Sequence, residues 1–147
     1  MAAIVIADAS PLIALARVGG LSWLQQLFTE VMVTDVVFAE ARTAGWLQTI
    51  AIATTEPDLP DLDEGEASSI RLALSRNGPA LLLIDERSGR AVAQELGLSV
   101  AGTAAVIGLA RQRGLITSAR QMFAALHASN FRIAPAVIKT VLDRCGD

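Results

Sequence analysis

Two short apolar runs constrain this chain more than any other feature. Ala3-Ile4-Val5-Ile6-Ala7 stops at Asp8, and Ala80-Leu81-Leu82-Leu83-Ile84 stops at Asp85. Neither run alternates apolar with polar residues, so neither is a strand with one wet face. Both read as strands of a parallel sheet covered on both sides. Val31-Met32-Val33 has the same character, and Ile50 to Thr54 and Leu98 to Val100 read as shorter strands. Parallel neighbours cannot be joined by hairpins. They need crossovers of a dozen or more residues, usually helical.

The intervening stretches carry helix signals. Ser10-Pro11 reads as an N-cap followed by proline at the first helical position, opening a helix from Leu12 to Val18 that ends at Gly19-Gly20. Leu21 to Phe28 follows with Ser22 as its cap. Thr34 caps a helix from Asp35 to Ala44, stopped by Gly45. Glu56-Pro57-Asp58-Leu59-Pro60-Asp61 has the composition of a linker. A helix then runs from Gly65 to Arg76 and ends at Asn77-Gly78-Pro79, and another runs from Ser88 to Leu96. Three more, near 103–113, 118–128 and 135–144, make the C-terminal third nearly all helix, which suits packing on one face or a dimer contact. Strands alternating with helices predict an α/β fold with a mainly parallel sheet. The 147 residues suit a single domain, 1–147.

Composition removes several classes. Apolar residues make up 52% and charged residues 18%, the opposite of a disordered chain. Cys145 is the sole cysteine, which excludes an intrachain disulfide scaffold and, with no secretory leader, points to the reducing cytoplasm. Charges interrupt every apolar stretch well before the ~18 residues of a membrane span, so no membrane association is expected. The net charge of −3 is unevenly spread: residues 1–75 carry −7 and residues 76–147 carry +4. An acidic cluster facing a basic surface is what a metal-dependent phosphodiesterase needs. The acids Asp58, Asp61, Asp63 and Glu64 lie in the Pro-rich stretch and read as solvated.

Parallel strands present their carboxyl ends on one edge, where ligands bind in open α/β sheets. Asp8 and Asp85 therefore belong to one edge. Two helical acids join them. Glu40 interrupts an apolar stretch, and Glu66 lies in a first turn, where the helix dipole favours a carboxylate. Taken singly, each acid has a plain structural alternative, such as ending a strand or occupying a solvated helix face. Arg87 and Arg90 follow Asp85 closely as candidate phosphate contacts, with a solvated face or an ion pair as the alternative. No phosphate-cradling glycine loop is present, and His127 is the only histidine, against a histidine-based zinc site or a serine triad.

The ordered set resembles a PIN-domain nuclease, in particular a compact prokaryotic PIN subgroup related to VapC-type toxins. The resemblance runs through Ile6-Ala7-Asp8-Ala9-Ser10-Pro11-Leu12-Ile13-Ala14-Leu15, Glu40, Gly65-Glu66-Ala67, Leu83-Ile84-Asp85-Glu86-Arg87-Ser88-Gly89-Arg90 and Val100-Ala101-Gly102-Thr103. It implies a three-layer α/β/α sandwich and cleavage of RNA phosphodiesters with one or two Mg²⁺ or Mn²⁺ ions. It places catalysis and metal on Asp8, Glu40, Glu66 and Asp85, and substrate contacts on Ser10, Arg87 and Arg90. It further implies a toxin's cognate antitoxin as partner, and a homodimer. The chain departs from many such toxins in carrying Glu66 in place of Asp, and Leu83 where Thr precedes the last Asp.

The chemistry agrees with a cation. Converging carboxylates repel, and some would hold protons at neutral pH unless a hard divalent ion with oxygen ligands relieved them. Two rival classes stay open on the sequence: a catalytically weak or inactive PIN-type nucleic-acid-binding or regulatory module, and a structural protein whose acids are incidental.

Overall fold

The computed structural model describes residues 4–41, 48–51, 55–76 and 78–147. Expectations that fell on Ala3, on the helix end and stop at 42–45, on Trp46, on strand residues 52–54 and on Asn77 lie outside the described residues.

Five strands form one parallel sheet: β1 (Ile4–Ala7), β2 (Glu30–Thr34), β3 (Gln48–Ile50), β4 (Leu81–Leu83) and β5 (Ser99–Ala101), in the order β3-β2-β1-β4-β5. In register, Ala7 sits opposite Leu83 and Ile6 opposite both Met32 and Leu82. The two strand-end aspartates therefore emerge from adjacent central strands on the same edge, as direction and periodicity predicted. The Asp8 N–H continues the ladder by donating to the Leu83 carbonyl at 2.9 Å.

Among the described residues, eight helices connect and cover the strands: α1 (Ala9–Arg17), α2 (Leu21–Leu27), α3 (Asp35–Ala41), α4 (Glu64–Ser75), α5 (Arg87–Glu95), α6 (Thr103–Gln112), α7 (Ala119–Ala128) and α8 (Pro135–Cys145). The pleat divides their packing. Val5, Ala7, Val31, Val33 and Leu83 point to one face, where Leu12 and Leu15 of α1, Leu24 of α2, Val37 of α3, Ile107 of α6, Leu126 of α7 and Leu142 of α8 cover them. Ile6, Met32, Leu82 and Ile84 point to the other, beneath Ile70, Leu72 and Ala73 of α4 and Ala93 of α5. Two covered faces make three layers, and they explain why the strand sequences lack alternation. Trp23 is buried in the core.

Two capping expectations are corrected, at Ser10 and Ser22. Helix α1 starts at Ala9, directly after the strand, so Asp8 is its N-cap residue and Ser10 lies inside the first turn. Pro11 is tolerated there because first-turn N–H groups lack helical partners in any case. Helix α2 starts at Leu21 behind Gly20, so Ser22 is not its cap. Helix α4 opens one residue before Gly65, behind Asp63. Thr34 does cap α3, its Oγ1 accepting from the Val37 N–H at 3.1 Å.

The C-terminal helices are tied together by Asp147. Its carboxylate accepts from the Ala119 N–H at 2.9 Å and the Arg111 Nε at 3.2 Å, capping α7 and bracing α6. These hydrogen bonds hold its pKa below the usual carboxylate range, with the Ala119 N–H the largest cause and the Arg120 N–H and Arg111 adding to it.

Candidate active site at the carboxyl edge of the sheet

Asp8 leaves the central strand β1 with its side chain buried, 4% exposed. It is an N-cap by position, yet its carboxylate makes no capping hydrogen bond to the helix. Burial pushes its pKa up from 3.8 to about 7. The Ala9 N–H offsets part of this, and the negative charges of Asp63, Glu66 and Glu40 add to it.

Helices α3 and α4 bring those acids in. They meet over the end of β2, where a buried hydroxyl chain joins them. Ser68 Oγ donates to the Gly65 carbonyl at 2.9 Å, and Thr34 Oγ1 and Ser68 Oγ are 2.8 Å apart. Since Ser68 spends its proton on Gly65, the Thr34 hydroxyl donates to Ser68, leaving its lone pair for the Val37 N–H. The contact also sets Glu40 beside the start of α4. A methyl group on Gly65 would lie 3.0 and 3.1 Å from the two Glu40 oxygens and 3.4 Å from Asp63 Oδ1. Partial burial and the Asp63 charge raise the Glu40 pKa.

Asp63 and Glu66 form a capping box. Asp63 Oδ1 accepts from the Glu66 N–H at 2.8 Å, and Glu66 Oε1 accepts from the Asp63 N–H at 3.3 Å. This box points Glu66 inward, and its second oxygen, Oε2, is buried with no hydrogen-bond partner among the described residues. A methyl on Gly89 would come within 2.9 Å of that oxygen and 2.6 Å of Ile84 Cδ1, so only glycine gives Glu66 its place. Burial raises the Glu66 pKa, and the charges of Asp63 and Glu86 reinforce the shift. Glu86 itself is exposed at the N-cap of α5. A buried anionic oxygen left unpaired is costly.

Asp85 has a different environment. It is half-buried, and both oxygens are occupied: Oδ1 accepts from the Thr103 N–H at 2.8 Å and Oδ2 from the Thr103 hydroxyl at 2.8 Å. Burial raises its pKa. The two Thr103 bonds and the Arg90 charge pull it back.

The structure thus gathers Asp8, Glu40 and Glu66 in one field and sets Asp85 beside them on the neighbouring strand end. Arg90 joins Asp85; Arg87 opens α5 with an exposed side chain and is no part of this arrangement. Ser10 is half-buried one residue beyond Ala9, with its capping role taken by Asp8. Two residues have roles the sequence did not assign. Asp63 is exposed, as expected, but it also caps α4, and the D-x-x-E spacing to Glu66 is the signal for that. Thr103 stands in the stretch Val100–Thr103 that carries the resemblance, yet its bond to Asp85 has no local signal, because its partner lies 18 residues away.

Among the described residues, no three acidic, histidine or cysteine side chains stand close enough to make a metal site as they are. The donor chemistry nonetheless fits a hard divalent ion. The set is all carboxylate oxygen, it carries unbalanced negative charge, and Glu66 Oε2 is buried without a partner among the described residues.

Residues 4–147 match the profile of a family described as DUF3368, PIN domain. No curated protein matches the chain. Among solved structures it is similar to a PilT N-terminus domain protein from the hyperthermophilic archaeon Sulfolobus solfataricus P2, with a TM-score of 0.56 and 17% identity, covering 70% of this chain and 89% of the other. At that identity the likeness is one of fold, and it agrees with the layered parallel sheet. Among the described residues, no helix is long and apolar enough to cross a membrane.

Proposed function

Because the chain belongs to the PIN domain family, generally a family of nucleases, we propose that it is a metal-dependent endoribonuclease. The observation that supports this is the pair of buried acids Asp8 and Glu66 at the carboxyl edge of the sheet, within electrostatic reach of each other and of the exposed Glu40, with one Glu66 oxygen unpaired among the described residues. Asp8, Glu40, Glu66 and Asp85 are the residues that would hold Mg²⁺ or Mn²⁺. When bound, such an ion lowers the pKa of its water and stabilises charge on phosphate oxygens.

The remaining roles follow from the chain's own groups. Asp85 is fixed in orientation by its two bonds to Thr103. Arg90, beside it, offers a planar fork to a phosphate. Asp63 keeps α4 in place through the capping box and adds negative charge to the three acids. Without a counter-charge, this field repels a phosphodiester, so substrate and cation are expected to bind together. The toxin role, the cognate antitoxin, the homodimer and the cytoplasmic location rest on the resemblance and on composition.

The test is cleavage of a panel of single-stranded RNAs with Mn²⁺, comparing the wild type with Asp8→Asn and Asp85→Asn. Cleavage by the wild type alone is expected; equal rates in all three would remove the nuclease reading. One observation favours a second reading, nucleic-acid binding without turnover: the described acids are not closed around a cation as they stand. That reading requires RNA binding that persists in Asp8→Asn and no turnover in the wild type.

A further inference from the structure

A cavity of about 600 Å³ opens beside Asp85, between the β5–α6 corner, the segment 131–134 and α8. Its size falls within the ~300–1,000 Å³ of small-ligand sites. Asp85 and Arg90 form one end. Phe131, Arg132 and Arg144 line other walls, with Val100, Ala104 and Val141 among the apolar lining. Arg132 and Arg144 are exposed, and neither takes part in an ion pair among the described residues. Three arginines against one carboxylate make this wall cationic in a chain of net charge −3. Gly102 lets the corner close: a methyl there would lie 2.8 Å from Asp85 Oδ1 and 3.0 Å from Arg90 Nη1.

We propose that this cavity seats the nucleotide next to the bond that is cut, in single-stranded RNA. The proposal rests on the nuclease reading above. The cavity combines what such a nucleotide requires: guanidinium groups for the flanking phosphates, and an aromatic ring with an apolar wall for a base face. It is continuous with the acid edge through Asp85 and Arg90, so an RNA lying in it passes the carboxylates. Duplex is disfavoured, because a base must leave its stack to enter a cavity of this kind.

The test separates binding from chemistry. Asp8→Asn protein, without divalent metal, is titrated with a fluorescent single-stranded RNA 12-mer at several salt concentrations. Arg132→Gln and Arg144→Gln are added singly and together, with Arg113→Gln, an exposed arginine outside the cavity, as control. The cavity pair is expected to weaken binding about tenfold, and each change to reduce the salt slope by ~0.7. Phe131→Leu is expected to weaken binding about fivefold with the salt slope unchanged. Thermal melting confirms that each variant is folded. Unchanged affinity in the arginine variants, or an equal loss in Arg113→Gln, overturns the proposal. Acid-dependent cleavage with arginine-independent binding leaves the nuclease and removes this site. Arginine-dependent binding by a wild type that cuts nothing keeps the site and removes the nuclease.

Discussion

The two halves of the sheet edge solve opposite electrostatic problems. On the β1–β2 side, Asp8, Glu40, Glu66 and Asp63 act on one another as like charges, and the shifts resolved for Asp8, Glu40 and Glu66 are all upward. On the β4–β5 side, Asp85 is held by two short hydrogen bonds and faces Arg90, with Arg132 and Arg144 beyond. The first half is destabilised as it stands and gains from a positive ion. The second is satisfied and offers positive charge to an anion. A phosphodiester lying across the edge would meet both.

The strongest way to break this contrast is Asp8→Asn. The folded pKa of Asp8 lies above its unfolded value, so the folded state holds more protons between pH 4 and 7, and stability falls as pH rises through that window. In EDTA the wild type should therefore melt progressively lower from pH 4 to 8. Asp8→Asn should flatten that slope and be more stable at pH 8, by up to ~4 kcal/mol, while losing cleavage. A lower melting temperature for Asp8→Asn at pH 8 would show that the crowded half is not strained by charge.

Thr103→Val probes the other half. It deletes the hydroxyl bond to Asp85 and keeps the backbone one, at an expected cost of about 1.5–3 kcal/mol in urea unfolding, with a drop in cleavage. A variant as stable as the wild type would mean that Asp85 does not depend on this anchor. Gly89→Ala sharpens the comparison next. The added methyl presses on Ile84 and Glu66 Oε2, an overpacking cost of ~1–3 kcal/mol reduced by the ~1 kcal/mol that alanine gains in a helix. Its thermal stabilisation by Mn²⁺ should shrink, whereas Thr103→Val should leave more of it. The smallest change is Asp63→Asn, which keeps a good cap and removes one charge. Stability should move by less than about 1 kcal/mol, while the steep part of the pH–stability curve shifts to lower pH; an unmoved curve would separate Asp63 from the acid field.

Much of this arrangement was legible in the residues, and the exceptions have physical reasons. The strands were readable because a sheet covered twice leaves no polar alternation, and their direction alone placed Asp8 and Asp85 on one edge. The start of α1 differs from the expectation because the chain turns into the helix directly after β1, which puts Asp8 at the N-cap position ahead of Ser10; α4 starts within one residue of Gly65, behind Asp63. Asp63 is solvated, as its Pro- and acid-rich surroundings indicate, and its additional capping of α4 is readable only from its spacing to Glu66. Thr103 belongs to the stretch that carries the resemblance, but its role has no local signal, since it arises only when β4 and β5 pair. The choice between Arg87 and Arg90 depends on where α5 begins, which set Arg90 beside Asp85 and left Arg87 outside.

The unequal filling of the two sheet faces has a consequence for motion. Among the described residues, 22 buried apolar side chains lie on the α1–α6–α7 side and eight beneath α4 and α5. The thinner layer is the one to detach first in partial opening, since fewer buried contacts hold it. It carries Asp63 and Glu66, whereas Asp8 stays with the thicker layer. Amide exchange should thus be faster in 64–75 than in 103–112, and a divalent ion bridging Asp8 to Glu66 would act as a clasp between the leaves, slowing exchange in the weaker one.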